Sequence, residues 1–103
     1  MEIIATLAEM IDDEIDGASE YVRMANELKS SDPELSKTFY DLSIIEMGHM
    51  EILHKQVVRI IEKYRRSNEE PPDAMLALYN IMHDKHIKAA ACVRISQEEY
   101  ASK

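Results

Sequence analysis

In the stretch IIEMGHMEILH, residues 44–54, apolar side chains recur at helical spacing while Glu46 and His49 break the pattern at its centre. The same pattern continues on either side. Taking alternate steps of four and three selects Leu35, Phe39, Leu42, Glu46, His49, Leu53, Gln56 and Ile60, a seam that is apolar except near its middle. Such a seam belongs to a helix packed nearly parallel to its neighbours. Residues that should face a core therefore include a carboxylate and an imidazole, one helical turn apart.

The flanking punctuation sets the limits of this helix. Upstream, SSDPE offers Ser31 or Asp32 as a cap, with Pro33 in the first turn, where no amide is needed. Downstream, KYRR suits a helix C-terminus, and SNEEPPD then breaks the chain. A first helix is expected from about Met1 to Lys29 and a third from about Asp73 towards Tyr100. Only two glycines and three prolines interrupt a chain rich in Ala, Leu, Met, Glu and Lys, which points to an all-α protein. The organisation expected is a helical hairpin over residues 1–66, a linker at 67–72 and a C-terminal helix over 73–103 that covers the hairpin or makes oligomer contacts.

The first helix carries its own seam: Ile3, Leu7, Met10, Glu14, Gly17, Tyr21, Ala25 and Leu28. A turn as short as Ser31-Asp32 allows only an antiparallel pair, so residues whose numbers sum to about 63 stand at one height. Glu14 then faces His49, and Gly17 faces Glu46. A buried ionised carboxylate costs several kcal/mol unless it is paired or bound to a metal, so two of them beside a histidine point to metal binding. The competing reading is a hydrogen-bonded polar layer that fixes register. One hairpin supplies two glutamates and one histidine. Two hairpins about a two-fold axis would make a four-helix bundle holding four glutamates and two histidines, the ligand set of di-iron and di-manganese carboxylate bundles.

Composition narrows the remaining classes. With 103 residues the chain is one domain with a modest core, which a partner subunit would enlarge. A net charge of −8, with eight acids and two bases in residues 1–30, disfavours nucleic acid and favours a cation. No signal peptide or long apolar run is evident, so a cytoplasmic protein without a membrane partner is expected. The lone Cys92 rules out a disulfide framework and a cysteine-based metal centre, and reads as a small buried residue. His54 sits one turn past His49, either as a surface residue or as a guide for incoming metal. Tyr21 either hydrogen-bonds a ligand of the partner chain or fills the core. His83 and His86, in YNIMHDKHIKAA, form a second i, i+3 pair; with no seam carboxylate beside them they read as core or interface histidines in preference to a second metal site, on a helix whose seam is Met75, Tyr79, Met82, His86, Ala89 and Val93.

EIDGASEY, residues 14–21, resembles the first-helix signature of the ferritin-like superfamily: a metal-binding Glu, a small residue three positions on and a Tyr seven positions on. DPELSKTFYDLSIIEMGHMEIL, residues 32–53, is similar to the second helix of rubrerythrin-type and encapsulated-ferritin proteins, with its E-x-x-H. The resemblance covers roughly residues 5–60. It implies an antiparallel hairpin that dimerises into a four-helix bundle. It also implies Glu14, Glu46 and His49 as metal ligands and catalytic residues, with Glu46 the bridging carboxylate. The cofactor implied is iron, two ions per dimer, with manganese or zinc as alternatives. The activity is oxidation of Fe(II) by O₂ or peroxide, in iron handling or protection from oxidative stress. The partners implied are a second copy of the chain, a ring of such dimers and an encapsulin shell, although IKAAACVRISQEEYASK contains no obvious hydrophobic targeting peptide. The alternative class is a non-catalytic helical interaction module with a structural metal or a buried polar layer.

Overall fold

The computed structural model describes residues 2–67 and 73–102; the linker expected at 67–72 lies outside them, apart from Ser67. The described residues form three α-helices and no strand: α1 (Glu2–Leu28), α2 (Pro33–Arg66) and α3 (Asp73–Ser102). The chain between α1 and α2 reverses where the caps dictate. Asp32 is the N-cap of α2, its carboxylate accepting a hydrogen bond from the Leu35 amide at 3.1 Å. Its own amide donates to the Leu28 carbonyl at 2.9 Å, so one residue closes the first helix and opens the second. Pro33 occupies the first turn, and Lys63, Arg65 and Arg66 sit at the far end of α2, where cations favour the helix dipole.

α3 runs parallel to α1 and antiparallel to α2. Asp12 meets His86 and Asn26 meets Ser96, with numbers rising together, whereas Ser43 meets Gln97 and Glu51 meets Arg94. The result is a rod 56 × 21 × 17 Å in extent. α3 packs chiefly on α1 and touches α2 sparingly. Its end is pinned near the hairpin turn by Tyr100, whose ring stacks on Tyr40 at 4.4 Å and whose carbonyl accepts from Lys29. No helix among the described residues is long and apolar enough to cross a membrane.

The buried stripe is not the one expected. On α1 the solvent-free residues are Ile4, Ala8, Ile11, Ile15, Ala18, Val22 and Ala25, and on α2 they are Ser36, Ser43, Met47, Met50, Val57 and Ile61. Both stripes lie next to the predicted seams, about 100° round the helix for each one-residue step. The physical reason is α3, which covers this face with Met75, Ala90 and Val93 and leaves the predicted seams half open. On α3 the expected seam holds better, with Met75, His86 and Val93 buried. Cys92, read as a small buried residue, is exposed.

Adjacent residues on the two stripes should respond differently to truncation. Met10 is 46% exposed and Ile11 2%. In urea unfolding at low protein concentration, Ile11→Ala is expected to cost about 2–5 kcal/mol and Met10→Ala less than about 1 kcal/mol. Equal losses would mean that α3 does not cover the face described.

Candidate metal centre

The half-open face of the hairpin holds the polar residues singled out above. Glu14 comes from α1, and Glu46 and His49 come from α2, three residues apart, so about 4.5 Å of rise separates them along the axis. One ligand atom from each lies within 4.8 Å of the other two. His49 Nδ1 stands 3.4 Å from Glu14 Oε2 and 3.8 Å from Glu46 Oε1. The glutamate side chains are about one quarter exposed, at 26% and 25%, and His49 at 51%, so the group is walled by the hairpin and open on its outer side.

The backbone makes room for this. A Cβ on Gly17 would sit 3.2 Å from Glu46 Oε2, so the missing side chain is the space the carboxylate occupies. Beyond it, Tyr21 stacks on Phe39 at 6.0 Å and closes the turn-proximal side of the same face. Tyr21 therefore packs within its own hairpin.

The electrostatics are unbalanced. Glu14 Oε2 is shut off from solvent and makes no hydrogen bond; the nearest cationic candidate, His49 Nδ1, lies at ion-pair distance only. A buried acceptor left without a donor costs roughly 1–3 kcal/mol. The Glu46 carboxyl is pushed above the ordinary carboxylate range, first by its hydrogen bond with Glu14, then by burial and by the charge of Glu14, against a smaller opposing pull from His49.

A cation bound here would supply what the group lacks. Two carboxylates and one imidazole suit iron, manganese or zinc, since imidazole disfavours magnesium and calcium. The unpartnered Glu14 oxygen and the crowding that raises the Glu46 carboxyl both fit a metal. Three protein ligands leave coordination positions open on the exposed side.

His54 takes neither of the roles weighed for it. Five residues past His49, it points about 140° away round α2, towards α3, and is half-buried against His83. His86 is buried against Asp12, as a core histidine would be. The pairing of His54 with His83 has no local signature, because it depends on how α3 docks.

The raised Glu46 titration has a measurable effect on stability. The folded chain holds this proton more tightly than the unfolded one does, so the stabilisation is complete below the ordinary value of 4.5 and is lost as pH rises through the raised pKa. In metal-free protein the thermal midpoint should fall across that window. Glu46→Gln should remove the fall and raise the midpoint at pH 7; an unchanged profile would show that the two carboxyls are not coupled.

No family model, curated protein or solved structure matches the chain. The ferritin-like reading rests on the two motifs and on the geometry of Glu14, Glu46 and His49.

Proposed function

We propose that the chain is a ferritin-like di-iron protein acting as a ferroxidase, with its centre shared between two copies of the chain. The observation that carries the reading is the buried, unpartnered Glu14 Oε2 beside Glu46 and His49 on a face left open by α3. Apolar residues frame that face. Ile3 and Met10 precede Glu14 by three turns and by one turn, and Leu35 precedes Glu46 by three; all three are exposed. A second hairpin on this face would bury them and bring its own Glu14, Glu46 and His49 to the same level, completing a four-helix bundle.

In this arrangement Fe(II) is the substrate, and a bound iron pair supplies the one-electron steps that carbon-based side chains cannot. Two Fe(II) give up one electron each, and O₂ takes both with two protons and leaves as hydrogen peroxide. Glu14 and His49 would hold the ions from α1 and α2. Glu46, whose carboxyl titrates above the ordinary range, would give up its proton to a cation and serve as the third ligand of each chain. The walls of the two hairpins would together keep bulk water from the centre.

The test is an anaerobic Fe(II) titration followed by oxygen, with molar mass measured in parallel. About one iron per chain, a dimer or a multiple of dimers, and rapid ferric absorbance in the wild type are expected, with loss of the absorbance in Glu46→Ala. A chain that is monomeric with and without iron, or that binds none, would leave the polar residues as a register-setting layer in an interaction module.

A further inference from the structure

Away from the candidate centre, three of the four histidines gather where α2 meets α3. His54 Nε2 and His83 Nδ1 stand 3.3 Å apart, their rings within 15° of parallel. Tyr79 stacks on His83 at 5.1 Å and fixes that ring. One turn on, His86 is held by Asp12, Nε2 to Oδ1 at 2.9 Å. All three imidazoles line a small apolar cavity with Ile11 and Val57, and the same three border a wider cleft edged by Glu51 and Arg94 that opens to solvent.

A separation of 3.3 Å is long for an N–H···N bond, whose optimum lies near 3.0 Å. It matches the distance between two nitrogens on one tetrahedral ion, about 3.3–3.4 Å when each metal bond is about 2.0–2.1 Å. Metals take neutral imidazole. Burial, then the nearby His83 and His86, pushes the His54 pKa below its ordinary value. Among the described residues no third donor completes a tight cluster at this place, so water from the cleft would fill the remaining positions. A purely imidazole pair selects the borderline ions, Zn²⁺ and Cu²⁺, over hard cations.

We propose that His54 and His83 form a second, two-imidazole site for a divalent transition ion, separate from the Glu14 centre, which clips α3 to α2. The position matters because α2 and α3 otherwise touch little. An ion there joins the least connected pair of helices in the fold. His86, tied to Asp12, anchors α3 to α1 beside the clip.

Zn²⁺ is the probe, and the full chain is used throughout. In Glu14→Ala/Glu46→Ala protein, calorimetric titration should give about one Zn²⁺ per chain and a raised thermal midpoint, and adding His83→Gln should abolish both. In the wild-type chain, which needs no substitution at either histidine, ¹⁵N NMR of the imidazoles should show Zn²⁺ moving His54 Nε2 and His83 Nδ1. Binding that survives His83→Gln, no binding once the Glu14 centre is removed, or ring shifts confined to His49 would each overturn the proposal. The double variant also separates the two readings, since it removes the proposed iron centre and leaves this site intact.

Discussion

The hydroxyl of Ser43 links all three helices. It accepts from the Gln97 amide of α3 at 2.9 Å and donates to the Ala18 carbonyl of α1 at 2.7 Å. One helical repeat nearer the turn, Ser36 does the same to the Ala25 carbonyl. All four of these α1 and α2 residues are small and buried, so the two helices approach closely and are held at one register. That register has little tolerance. A slip of one residue would shift α2 by about 1.5 Å and rotate it by about 100°, separating Glu14 from its partners. The buried hydroxyls therefore align the carboxylates on the neighbouring face.

The two faces of the hairpin divide the work. One is dry, covered by α3, and holds the buried core. The other carries exposed apolar residues and the three polar groups, and its exposure is what makes the cluster reachable. The core and the candidate metal ligands thus draw on separate stripes of the same two helices, which lets the polar stripe remain poorly satisfied without unfolding the chain.

Much of this was legible in the sequence, and the remainder fails for a physical reason. The helices, the turn at Ser31-Asp32 and the level of Glu14 with His49 and of Gly17 with Glu46 follow from periodicity and a short connection. The buried face did not follow, because both helices bear two apolar stripes and period alone does not rank them. What the buried stripe does carry is small residues at sevens, Ala18 with Ala25 and Ser36 with Ser43, where the two backbones come close. The pairing of His54 with His83 and the exposure of Cys92 depend on the docking of α3, whose connection to α2 imposes no register comparable to the short turn.

The unpartnered oxygen of Glu14 has a thermodynamic consequence. A site built so that its own ligands repel one another stores unfavourable energy in the folded chain, and a cation that relieves it binds more tightly for that reason. Affinity for a cation here and the fragility of the ion-free fold would then be two measures of one frustration. Any substitution that soothes the cluster, for example by neutralising a carboxyl, would make a sturdier protein and a poorer ligand for metal.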